Sequence, residues 1–234
     1  MIKKLSIIIP AYNEEKTIVQ VLETISKLEL VHGIEKEILV INDSSSDQTK
    51  LLTENFLKAN PTSGIQLHNQ EVNQGKGAAL HHGIQQATGD YLIPQDADLE
   101  LDPKDINKLL EKAIQENLKV VYGSRFLAAK NPNKNASYYA NSFLTKLSNL
   151  CNGWKITDME TCYKLIDSSI AKSLSLKEKR FGFEPEITVK LAKVKGITYG
   201  EVPVEYTFRT YEEGKKIGWQ DGVKAIFCIL KYSF

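Results

Sequence analysis

Three carboxylates at alternate positions, Asp96, Asp98 and Glu100, follow an apolar run at 91–94 and precede the turn signal Asp102–Pro103. A strand that ends this way points its acids to one side of a sheet, where a hard divalent cation and its phosphate ligands would sit. Same-face neighbours on an extended strand stand about 6–7 Å apart. All three acids therefore reach one ion only where the chain curls after Asp96. Otherwise one or two acids hold the metal and another meets a sugar or ribose hydroxyl.

Other stretches carry chemistry as well. PAYNE at 10–14 offers Tyr12 as a flat face for a nucleotide base, with Asn13 as a helix cap and Glu14 or Glu15 favouring the helix dipole. In NDSSSD at 42–47, Ser46 or Asp47 suits a helix cap, while Asp43 comes directly off a strand end. Its carboxylate would accept from a base N–H or a ribose hydroxyl. NQGKG at 73–77 lacks both Walker A spacing and the GxGxxG fingerprint, so its glycines read as a turn with close packing. Lys76 then either approaches a diphosphate or is solvated. Arg125, in GSR at 123–125, suits bidentate phosphate binding or an ion pair. The run at 209–216 joins Arg209, Lys215 and Lys216 with Gly214, as a loop closing over a diphosphate would, or as a solvated charge run.

The elements that must position these groups alternate. Short apolar runs at 5–10, 37–42, 65–68 and 91–94 are separated by amphipathic stretches at 14–28, 47–59 and 75–87. That rhythm predicts a mostly parallel sheet covered on both faces, with ligand loops beyond the carboxyl ends of the strands. A helix over 103–117 and a strand over 120–123 extend it, and a polar loop follows at 127–135. The later half predicts helices over 137–152, 184–195 and 218–232, a strand at 164–166, and a strand over 197–207 interrupted by Pro203. Val223, Ile226, Phe227, Leu230 and Phe234 make an apolar stripe in the last helix, suited to packing on the domain or to resting on a membrane.

At 234 residues, 42% hydrophobic and 25% charged, the chain suits one well-buried α/β domain spanning 1–234. About 1–126 is the half with the strand-end ligand loops in this reading, and about 127–234 the acceptor side with a final helix. A net charge of +1 gives no reason to expect nucleic acid. Three cysteines without metal spacing argue against a disulfide framework or zinc site. With no signal-like start and no run of about 20 apolar residues, a cytoplasmic protein is expected, with a peripheral place on the cytoplasmic face of a membrane as the alternative.

PAYNE, NDSSSD, NQGKGAAL at 73–80, DADLE at 96–100, GSR and the Arg209/Lys215 pair together resemble family 2 glycosyltransferases. The similarity is greatest to the dolichyl-phosphate mannose synthase and polyprenyl-phosphate glycosyltransferase branch. The resemblance implies a GT-A fold, a Rossmann-like mostly parallel mixed sheet, a nucleotide-diphosphate sugar donor such as GDP-mannose or a UDP-sugar, and Mg²⁺ or Mn²⁺. It implies that Pro10, Tyr12, Glu14, Ile41 and Asp43 surround the nucleoside. Asp96, Ala97 and Asp98 would meet ribose, diphosphate and metal, with Glu100, where relatives carry glutamine, as a further metal ligand. Arg125, Arg209 and Lys215 would hold donor and acceptor phosphates. Cys162–Tyr163 replaces a Gly-Phe pair of the mannose synthases, which implies a sister branch.

The implied reaction is hexose transfer to a polyprenyl or dolichyl phosphate with inversion, the metal and cations stabilising the leaving diphosphate. A membrane surface or membrane-protein partner would go with such an acceptor. A lipid phosphate, with a second pKa near ~6, needs no strong base. A sugar-hydroxyl acceptor in cell-envelope glycan synthesis would need one, and Asp158 or Glu160 is the candidate; for Asp158, a helix cap or an ion pair with Lys164 is the structural alternative. A non-catalytic nucleotide-sugar module and a sugar-nucleotide pyrophosphorylase are the readings from other classes.

Overall fold

A computed structural model describes residues 2–128, 136–207 and 219–234. Its strands are β1 (Lys4–Ala11), β2 (Glu35–Asn42), β3 (Ile65–Asn69), β4 (Tyr91–Pro94), β5 (Val120–Ser124), β6 (Lys164–Asp167) and β7 (Tyr199–Pro203). Its helices are α1 (Ile18–Lys27), α2 (Thr49–Ala59), α3 (Lys76–Gln86), α4 (Ile106–Gln115), α5 (Arg125–Ala128), α6 (Ala136–Asn152), α7 (Ser168–Ser173), α8 (Phe183–Ala192) and α9 (Trp219–Ser233). Among the described residues the strands form one sheet in the order β3-β2-β1-β4-β6-β5-β7.

Alternation along the strands explains the layers. Ile7, Ile9, Ile38 and Val40 face one side with Val21, Leu22 and Ile25 of α1, while Ile8, Leu39 and Ile41 face the other with Ala79, Leu80 and Ile84 of α3. The first helix is shorter than the sequence suggests, because residues 14–17 turn before α1 begins. Asn13 does not cap it. That side chain, at φ 53, instead accepts from Ser46 N at 2.9 Å and ties two rim loops together. Asp47 accepts from Thr49 N at 2.9 Å at the entry to α2. In α4, Ile106, Leu109, Leu110 and Ala113 give the buried stripe, and Asp102 accepts from Lys104 N beside Pro103.

Two features position the site. β1, β2 and β4 end nearly level, with Pro10 opposite Ile41 and Ile8 opposite Pro94, so the loops after them share a rim. β6 runs antiparallel to both β4 and β5. Its amino end therefore lies at that same rim and delivers 157–163 beside the acids. Four residues of apolar alternation cannot reveal strand direction, so the sequence left this reversal unread.

The stripe of α9 divides. Ala225, Cys228 and Ile229 face the body of the protein, while Phe227 and Phe234 are 68% and 95% exposed and Val223 and Leu230 are also exposed. The expected packing face is largely an outward face. Among the described residues no helix is long and apolar enough to cross a membrane.

Near the amino ends of β1 and β2, away from the rim, buried Glu37 accepts from Ser6 Oγ at 2.6 Å, Thr88 N at 2.8 Å and Thr88 Oγ1 at 2.7 Å, and pairs with Lys4 at 3.2 Å. Burial pushes this carboxyl up, but these bonds together outweigh it and hold it below its ordinary value. A depressed folded pKa gives stability that is full above the unfolded pKa of about 4.3 and lost as pH falls through the folded one. Urea unfolding of Glu37→Gln against the parent should show a gap at pH 7 that closes as the pH falls below 4.

Candidate functional site

Asp96 leaves β4 and meets Lys76, the first residue of α3: Lys76 Nζ lies 2.7 Å from Oδ1 and 3.0 Å from Oδ2. Burial alone would discharge both groups. Instead the carboxylate raises the ammonium well above its usual value, and the ammonium holds the carboxyl down. The expectation of a solvated or diphosphate-facing Lys76 is replaced here by an ion pair. Beneath the pair, the Cys162 thiol lies beside Asp96 and helps hold its carboxyl down, and the Tyr163 hydroxyl donates to Gln95 Oε1. The Cys-Tyr pair that set the sequence apart thus braces the acid turn.

The chain does curl after the first acid. Residues 97 and 98 form a turn, Leu99 takes φ 59, and Glu100 N bonds Asp98 Oδ1 at 3.1 Å. Thr17 Oγ1 donates to Ala97 O at 2.6 Å and pins the turn to α1. Glu100 accepts from the Tyr206 hydroxyl at 2.7 Å. Among the described residues no three His, Cys, Asp or Glu side chains converge on one ion position. The expected trio of Asp96, Asp98 and Glu100 is not gathered, because Asp96 is drawn to Lys76 and Glu100 to Tyr206.

Of the expected nucleoside residues, Tyr12 is exposed, Pro10 and Glu14 are partly exposed, and Ile41 and Asp43 are buried. Asp43 Oδ1 accepts from Gln74 N at 2.9 Å, and Oδ2 from Gly75 N at 2.7 Å and Asn73 Nδ2 at 3.0 Å. It holds the 73–75 loop from behind, where contact with a base was expected. That loop must be glycine-rich. Gly75 sits at φ 101, and a Cβ there would stand 2.7 Å from Lys179 O, while one on Gly77 would stand 2.2 Å from Glu178 O.

Just past the end of β5, Arg125 Nε and Nη2 donate to Asp158 Oδ2 and Oδ1 at 2.7 and 2.8 Å, and the Arg125 backbone N–H adds a third bond at 3.1 Å. Burial opposes the guanidinium charge, but the Asp158 carboxylate more than restores it. The Tyr206 ring lies 5.2 Å from the guanidinium carbon. Asp158, 0% exposed, thus meets the first residue of α5 through the Arg125 N–H and takes Arg125, where Lys164 was the alternative, as its ion-pair partner. Lys164 instead donates to Glu184 Oε2 and to Thr161 O. Burial and nearby Glu184 push the Glu160 carboxyl up to about 7, and its Oε1 is buried without a hydrogen-bond partner among the described residues. Arg209 and Lys215 lie outside the described residues.

Sequence reasoning missed Glu184 and Lys164. The signal was a lysine opening a strand that is otherwise apolar, which demands a partner once buried. Glu186 is similarly structural: fully buried, it accepts from Lys177 N, Glu178 N and Lys190 Nζ and shapes the segment against which the glycine loop packs.

With this geometry the family follows. The glycosyl transferase family 2 model matches residues 6–175. The chain belongs to that family. It is 33% identical over 214 residues to a dolichyl-phosphate beta-glucosyltransferase of Trichomonas vaginalis, covering 86% of this chain and 65% of that protein. A dolichyl-phosphate beta-glucosyltransferase of Dictyostelium discoideum is 31% identical over 222 residues, covering 87% and 66%. The chain thus spans about two thirds of the length of these two relatives. Glucosyl-3-phosphoglycerate synthase from Mycobacterium tuberculosis, solved with Mn²⁺, UDP and phosphoglyceric acid, superposes with a TM-score of 0.75 at 19% identity, covering 99% of this chain and 78% of that one. The same synthase with Mg²⁺ and UDP gives 0.69 at 20% identity, covering 98% and 79%. The fold of this family 2 chain is GT-A.

Asp158→Asn leaves the Arg125 charge uncompensated and should cost about 3 kcal/mol, read as a shift in the urea midpoint at unchanged slope. A shift below about 0.5 kcal/mol would mean that the pair is not built into the fold.

Proposed function

We propose that the chain transfers glucose from a UDP-sugar to a polyprenyl or dolichyl phosphate, with inversion and a divalent cation. The observation that carries the acceptor class is the lock on Asp158. A carboxylate 0% exposed and held by three Arg125 donors is unavailable as a general base. A phosphate acceptor, largely anionic at neutral pH, requires none. The names of the relatives favour glucose over mannose, and the UDP complexes of the structural neighbours favour uridine as the base.

The rim suits a hard dication. Its donors at 96 and 98 are carboxylate oxygens, and the Lys76 ammonium seated on Asp96 marks a position that already favours positive charge. Asp96 and Asp98 would hold Mg²⁺ or Mn²⁺ together with the diphosphate, with Glu100 held near them by Tyr206. When bound, the ion would neutralise charge on the leaving nucleoside diphosphate. Tyr12 offers its exposed ring to the base, and Asp43 keeps the 73–75 loop shaped beside it. Arg125, fixed by Asp158, adds positive potential on the acceptor side. Arg209 and Lys215 would close over the phosphates. The outward apolar face of α9 supports work at a lipid surface, on the cytoplasmic side or against a membrane-bound partner.

A sugar-hydroxyl acceptor is the second reading, favoured by Glu160, whose carboxyl near 7 suits proton removal at neutral pH. Release of UDP from UDP-glucose with Mn²⁺, measured against dolichyl phosphate and against sugar acceptors, separates the two. Turnover is expected with the lipid phosphate, and Asp98→Ala should lower it at least about a hundredfold. Unimpaired metal-dependent turnover in that variant would sink the assignment.

A further inference from the structure

The two oxygens of Glu184 stand in different circumstances. Oε2 receives the fully buried Lys164 ammonium. Oε1 is buried and, among the described residues, has no hydrogen-bond partner, yet Lys76 Nζ is 3.6 Å away. A buried carboxylate oxygen without a bond is unfavourable and asks for an occupant. The nearest cation has three N–H donors and directs its short contacts to Asp96, at 2.7 and 3.0 Å. A shift of about 1 Å would bring the 3.6 Å contact into hydrogen-bond range.

Asp96 cannot serve an ammonium and a dication through the same oxygens without strong like-charge repulsion between them. Lys76 must therefore leave when a divalent ion arrives, and a lysine on the first turn of a packed helix has little reach. We propose that Glu184 is a positioning residue that receives the Lys76 ammonium when a divalent cation takes over Asp96. The inference rests on the metal reading given above. It gives Lys76 two seats. In the first, Lys76 keeps Asp96 ionised and the rim closed without metal. In the second, it satisfies the open oxygen of Glu184. Lys164 stays on Oε2 throughout, so Glu184 is held in place to act as the receiving seat.

The test is a double-mutant cycle on Mn²⁺ binding, followed by the electron paramagnetic resonance signal of free Mn²⁺, with and without saturating UDP. Glu184→Gln is made in the parent and in Lys76→Met. If Lys76 moves to Glu184, the substitution weakens Mn²⁺ binding at least about tenfold with Lys76 present, and less than about threefold with methionine there. A plain field effect of the Glu184 charge would give equal penalties in both backgrounds, and that result overturns the proposal. Glu184→Asp keeps the charge but shortens the arm, and should show the same dependence on Lys76. It also replaces the glutamine variant in the cycle should loss of the Lys164 partner unfold that protein. Absence of saturable Mn²⁺ binding in the parent would overturn the metal reading and the transfer of Lys76 with it.

Discussion

The ion pair between Lys76 and Asp96 sits where elements from both halves of the chain meet. Asp96 comes from the end of β4, Lys76 from the start of α3, Glu184 from the first turn of α8, and Lys164 from the start of β6. Four ionised side chains in one partly dry place are tolerated only because each has an opposite charge beside it. Losing one leaves a partner stranded, which couples the nucleotide-side loops to the acceptor-side segment more tightly than apolar packing would. The same constraint explains the bracing around it: Asp43 behind the 73–75 loop, Glu186 behind 177–178, and Asp158 behind Arg125.

Acids in this protein therefore divide by task. Those that hold backbone or a lysine, such as Asp43 and Glu186, maintain the walls. Those at the turn, Asp96 and Asp98, stand where a cation and a diphosphate would be gripped. Glu100 belongs between the two groups. Its bond to Tyr206 ties the turn to the chain just after β7, next to residues 208–218 that include Arg209 and Lys215.

Much of this was legible in the sequence because it follows from short-range rules. Apolar runs of four to eight residues separated by amphipathic stretches gave β1 to β5 and their helices, and strand-end acids gave the rim. What escaped needed long-range information. The reversed direction of β6, the exposed rather than packed face of α9, and the pairing of Lys76 with Asp96 all depend on which distant residue lies alongside. Asn13 and Asp43 show the limit most clearly: Asn13 suited a helix cap and Asp43 a strand-end acceptor, and in the structure each also holds a neighbouring loop. Polar residue types announce a hydrogen bond without naming its partner. The lysine opening β6 was a visible anomaly, and only its partner Glu184 explains it.

The central claim is that the turn after β4 is the metal and diphosphate site of a family 2 glycosyltransferase. Paramagnetic broadening of backbone amide signals on adding Mn²⁺ with UDP tests it most directly. The account predicts that the amides of Asp96, Ala97 and Asp98 broaden first. Broadening that leaves those three sharp while affecting another part of the molecule would contradict it.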